Sequence, residues 1–99
     1  MANEKITVVA RIKAKEGMEE AVRQELMSLI SPSRADDGCI NYDLHQATDD
    51  KSIFLFYENW SNKNNLDKHS KTPHFKSFFE KAESMLAEPI DITLWEMIS

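Results

Sequence analysis

The chain has 99 residues, 41% of them hydrophobic and 29% charged, and a formal net charge of −5. That length supports one domain, expected over residues 1–99, with one core and no need of disulfide or metal staples. A pI of about 5.1 argues against a nucleic-acid partner or an anionic membrane surface, because phosphate binding draws on clustered Lys and Arg.

No apolar run approaches the roughly 20 residues of a membrane helix. The stretch MANEKITVV lacks the basic start and apolar run of a leader. Cys39 is the only cysteine and has no partner for an intrachain disulfide, which suits a reducing compartment. A cytoplasmic protein is expected.

Residues 5–14, KITVVARIKA, are β-branched and alternate, with Ile6, Val8, Ala10 and Ile12 on one side of a strand that Gly17 closes. From Met18 the period changes, and Met18, Val22, Leu26, Leu29 and Ile30 share one helical face. Pro32 and ADDG are expected to end that helix. CINYDLHQ reads as a second strand, grouping Ile40, Tyr42 and Leu44. TDDK is a short polar turn, so SIFLFYENW should pair with it as a hairpin.

Ser61 is a candidate N-cap for a helix over residues 62–70. Thr72 caps a further helix, with Pro73 at its first position where no donor is needed. Phe75, Phe78, Phe79, Ala82 and Leu86 continue an apolar stripe until Pro89, and IDITLWEMI is the last strand. Strand, helix, two strands, broken helix, strand is the split β-α-β, ferredoxin-like pattern of an α+β fold with an antiparallel sheet.

The third strand carries Phe54, Phe56 and Trp60 on one side, with Ile53, Leu55 and Tyr57 on the other. The fourth offers Ile90, Ile92, Leu94 and Ile98, with Trp95 and Met97 opposite. A sheet covered on one face should alternate apolar with polar. These strands do not, so a homodimer packed sheet against sheet is expected.

Much chemistry is excluded. Gly17 and Gly38 are the only glycines, too few for a dinucleotide fingerprint or a P-loop, and no HExxH or CxxC occurs. His69 and His74 make a poor metal pair, because Pro73 breaks the helical register between them. No metal and no cofactor are expected.

One stretch, YENWSNKNNLDKHSKTPHF, gathers Glu58, Trp60, His69 and His74 near a strand end and a helix. Each has an ordinary structural explanation. Trp60 can be core, Glu58 can bond the following backbone, and an inward His is usually a satisfied structural residue.

GCINYDL followed by FLFYENWSNKNNLDKHSKTPHFKSF resembles the antibiotic biosynthesis monooxygenase domain family, in its quinol monooxygenase-like branch. The shared pattern is Gly-Cys-x-x-Tyr-x-Leu, then Glu-x-Trp, then His, three residues and Pro-His-Phe. The resemblance implies a dimeric α/β barrel with a pocket between sheet and helices. It also implies oxidation of a quinol or polycyclic phenol by O₂ without a cofactor. Haem-degrading relatives use an Asn on the first strand, where Ala10 stands here, and an alanine cannot donate to an iron-bound ligand. A phospho-sugar isomerase branch shares the His-x-x-x-Pro-His segment, and Lys68, Lys71 and Lys76 could serve a phosphate. A non-catalytic barrel binding an aromatic metabolite is the third reading.

Under the monooxygenase reading, His69 is the general base and Tyr42 bonds the developing quinone oxygen. Trp60, Phe56 and Phe75 form an aromatic wall, Glu58 orients a partner, and His74 is a second base. The partners are a small aromatic substrate and O₂.

Overall fold

In a computed structural model the described residues are 4–99. Residues 1–3, where the stretch read for a leader begins, lie outside them. The elements are β1 (Ile6–Lys13), α1 (Glu19–Arg34), β2 (Cys39–Gln46), β3 (Ile53–Trp60), α2 (Lys63–His69), α3 (Pro73–Met85) and β4 (Asp91–Trp95). They build one sheet in the order β2-β3-β1-β4, every neighbour antiparallel. This is the expected ferredoxin-like α+β fold.

The helices cover one face. Val8, Ile12, Phe54 and Phe56 of the sheet meet Val22, Leu26 and Leu29 of α1 and Phe78 and Ala82 of α3 in one buried cluster. Burying each large apolar side chain contributes roughly 1.5–3 kcal/mol, so this cluster is what holds the helices to the sheet. No helix among the described residues is long and apolar enough to cross a membrane.

Five expectations change. Helix α1 does not stop at Pro32 but runs through it to Arg34. Pro32 stands near the helix end, and the residues beyond it are held by Arg34, whose Nε donates to the Tyr42 carbonyl at 3.2 Å. The cap of α2 is Asn62 rather than Ser61, its side chain accepting from the Asn65 amide at 2.9 Å. Thr72 does cap α3, with Pro73 following it.

Ile40 leaves the Tyr42–Leu44 face because a bulge lies between Cys39 and Asn41, so Cys39 turns inward opposite Trp60 and Ile40 is 57% exposed. The last strand ends at Trp95, where its pairing with β1 reaches Thr7, and Ile98 stands exposed beyond it. The open sheet face is mixed rather than apolar. Tyr57 and Trp95 share it with an Asn59 side chain that donates to Asn41 Oδ1 at 2.9 Å.

Candidate active site

Two rows of paired residues floor the site. Tyr42, Glu58, Val8 and Leu94 form one row across the sheet, and Phe56, Ala10 and Ile92 the next. Above them α1, α2 and α3 contribute Leu29, His69, Phe75 and Phe78, enclosing a cavity of about 220 Å³. That is below the roughly 300–1,000 Å³ of pockets for drug-sized ligands, so a ligand of one or two rings is the size that fits.

Of the residues expected at a site, Tyr42, Phe56, Glu58, His69 and Phe75 line this cavity. Trp60 and His74 do not. Trp60 is fully buried behind His69, their ring centroids 4.6 Å apart, because the strand end that carries it lies beneath α2. It therefore leaves the aromatic wall to Phe56 and Phe75. Its Nε1 instead donates to Glu58 Oε1 at 2.9 Å.

His69 is only 2% exposed and is ringed by Trp60, Tyr42 and Phe75. Its Nδ1 lies 2.7 Å from Asp36 Oδ2. His74 reaches the same oxygen, Nε2 to Oδ2, at 2.9 Å. The proline that breaks the helical register does not keep the imidazoles apart. Thr72 and Pro73 start a new helix whose first turn folds His74 back onto Asp36, so both rings converge on one carboxylate. The three ligand atoms lie within 4.8 Å of one another, near enough for a divalent ion to bridge. They are also satisfied as a hydrogen-bonded cluster, Asp36 accepting from both rings.

Burial lowers the His69 pKa, against the opposing pull of Asp36, with His74 lowering it further. Neutral His69 thus holds its proton on Nδ1 against Asp36 and keeps the Nε2 lone pair. No described side chain bonds Nε2. Burial pushes Glu58 up to about 7, the Trp60 bond pulling the other way. Burial also raises the Tyr42 phenol, with the Glu58 charge adding to it, so Tyr42 stays a neutral donor. The Cys39 thiol is pushed up to about 11, first by burial and then by Glu58 and Asp36, which favours the protonated thiol at neutral pH.

Gly38 explains the Gly-Cys pair of the motif. It sits at φ +75°, and a Cβ there would overlap the Asn65 side chain while its carbonyl accepts from the Ser61 amide at 2.8 Å. The turn before β2 is thereby locked to the start of α2. This lock sets Asp36, two residues earlier, beside His69.

Residues 5–81 match the family model described as antibiotic biosynthesis monooxygenase. The chain belongs to that family. It is 32% identical over 89 residues to a Mycobacterium tuberculosis protein provisionally named a monooxygenase, covering 90% of this chain and 87% of that one. An uncharacterised Synechocystis protein is 35% identical over 96 residues, which are 97% of this chain but 65% of the relative's length. The chain thus spans about two thirds of that relative. Among solved structures, a Pseudomonas aeruginosa protein superposes with a TM-score of 0.93 at 34% identity, covering 100% of this chain and 99% of that one.

Asp36 is the member of this cluster that sequence reasoning missed. It lies in ADDG, which reads as a turn, and 33 residues separate it from His69. Ile90, Ile92 and Leu94, which the sequence groups on one side of the last strand, line the cavity.

Proposed function

We propose that this chain is a cofactor-independent monooxygenase that oxidises a quinol or polycyclic phenol with O₂, as a cytoplasmic homodimer. One observation carries the reading. His69 lines an apolar cavity while Asp36 holds its Nδ1, so Nε2 is the nitrogen left to act as a base. The cavity volume favours a small quinol over larger polycyclic phenols.

Triplet O₂ reacts slowly with closed-shell molecules unless they give up one electron, which a phenolate does readily. His69 Nε2 takes the hydroxyl proton, and Asp36 stabilises the imidazolium that forms. One electron passes to O₂, and the radical pair joins as a carbon–oxygen bond. The resulting peroxide loses water. One oxygen atom stays on the ring, the other leaves as water, and the substrate gives up four electrons in all. Tyr42, a neutral donor, supports the oxygen that becomes a carbonyl. Phe56 and Phe75 hold the ring and exclude water.

The isomerase reading is less well supported. No Lys or Arg lines the cavity among the described residues, so a phosphate would find no cation there. Lys68 borders a separate surface dimple beside Asp36 and Thr72. A homodimer is supported by the exposed apolar row on and after the edge strand: Ile92, Leu94, Trp95, Met97 and Ile98 are 45–94% exposed.

The test is oxygen uptake with a panel of hydroquinones, using ¹⁸O₂. Retention of one labelled atom per product molecule supports the reading. Absence of uptake with every member of the panel contradicts it.

A further inference from the structure

Glu58 occupies the middle of the sheet, opposite Tyr42 on one side and Val8 on the other, and is 5% exposed. A carboxylate so buried should be paired with a cation or held by several donors. Among the described residues it has neither. Oε1 accepts one bond, from Trp60 Nε1, and no ion pair involves Glu58. Glu58 instead lines the same apolar cavity as His69. Glu58 and Trp60 stand two apart on a strand, hence on one face, so the Glu-x-Trp spacing is a carboxyl with its own clamp.

The oxidation described above moves two protons, whereas His69 accounts for one. We propose that Glu58 is the second catalytic proton-transfer group of this cavity, with Trp60 as its positioning residue. The inference rests on the monooxygenase reading for its chemistry. His69 takes the hydroxyl proton and returns it to the peroxide. Glu58 then removes the proton from the ring carbon that carries the peroxide. The carbon–hydrogen pair becomes the new carbonyl bond, the oxygen–oxygen bond breaks, and the departing hydroxide collects the proton from Glu58 as water. Both groups end as they began.

This assignment narrows the substrate class to hydroquinones with a hydrogen on a ring carbon beside a hydroxyl. A fully ring-substituted hydroquinone would have no proton for Glu58 to take. The titratable groups around Glu58 are Tyr42 and Cys39 of β2 and His69 and Asp67 of α2. The residues that β1, β4, α1 and α3 contribute to the cavity it lines are apolar, among them Val8, Leu94, Leu29 and Phe75. Burial sets its pKa at about 7, so both protonation states are populated near neutrality.

Two measurements test the assignment. The first needs no substrate. In a Trp95→Phe background, Trp60 is the sole indole, and its emission should titrate with an inflection near pH 7 as the bonded carboxyl ionises. Glu58→Gln should remove that inflection and His69→Gln should keep it. An emission that is flat with pH, or an inflection that survives Glu58→Gln, overturns the proposal.

The second is turnover of a hydroquinone deuterated on the ring. Glu58→Gln should lower kcat by about 10²–10⁴-fold with KM little changed, and should enlarge the isotope effect, while Glu58→Asp restores part of the rate. Trp60→Phe should shift the pH profile of kcat, which mere loss of packing would not do. Unchanged kcat in Glu58→Gln, beside a large loss in His69→Gln, overturns the role of Glu58 and leaves the monooxygenase reading standing. A wild type inert towards every hydroquinone removes that reading instead, and with it the catalytic role of Glu58.

Discussion

Trp60 Nε1 donates a 2.9 Å hydrogen bond to Glu58 Oε1, two residues back on the same strand, and both side chains are nearly or fully buried. The indole holds the carboxyl from behind while its ring supports His69 at 4.6 Å. One aromatic side chain thus positions two titratable groups on one cavity without lining that cavity itself.

Glu58 should make stability depend on pH. Burial raises its carboxyl from 4.5 to about 7, so between those values the folded state binds a proton that the unfolded state releases. Stability therefore falls as pH rises through that window, by up to about 3 kcal/mol. Glu58→Gln is neutral throughout, and should melt several degrees above wild type at pH 8 but not at pH 4.5. Thermal unfolding at the two pH values checks this. An equal difference at both would mean that the carboxyl is not perturbed.

Asp36 should act through His69. Asp36→Asn removes the charge that supports the imidazolium, and the rate of oxidation should fall by about 10²–10⁴-fold with little change in KM. Initial rates per folded molecule, with helicity followed by circular dichroism, check this. Unchanged rates would make the Asp36 contact architectural.

Much of this arrangement was legible in the sequence. Strand alternation placed Phe54, Phe56, Glu58 and Trp60 on one face, and the Thr72 cap with Pro73 located α3. The Asp36 cluster was not legible, because no periodicity links a turn residue to imidazoles on two other elements. The bulge that turns Ile40 outward was also hidden: CINYDLHQ alternates normally, and only pairing with β3 reveals the extra residue. Trp60 read as a wall residue because sequence gives its face but not what lies between it and the ligand.

The cluster of Asp36, His69 and His74 should work as a proton-holding device without an ion. Dialysis against a chelator should leave oxygen uptake unchanged. Loss of activity restored by one equivalent of a divalent ion would turn His69 from a base into a ligand.

The exposed apolar residues of β4 and the chain beyond it should be covered by a second copy. Sedimentation at micromolar protein should give twice the 11.4 kDa chain mass. Leu94→Asp, at a position 48% exposed in the single chain, should shift the protein toward monomer. A stable wild-type monomer across that concentration range would contradict the assembly.

The central claim is that His69 is the base of a cofactor-free oxidation. His69→Ala is a poor probe of it, because the ring is 2% exposed and packed among Trp60, Tyr42 and Phe75, so its removal leaves a cavity. His69→Gln keeps a polar side chain of similar length and can still bond Asp36, but it has no basic nitrogen. The decisive measurement is oxygen uptake with a hydroquinone, per folded molecule, for wild type and His69→Gln. The account predicts uptake by the wild type and a fall of about 10²–10⁴-fold in the variant, at a similar melting temperature. Equal uptake by the two proteins would contradict it.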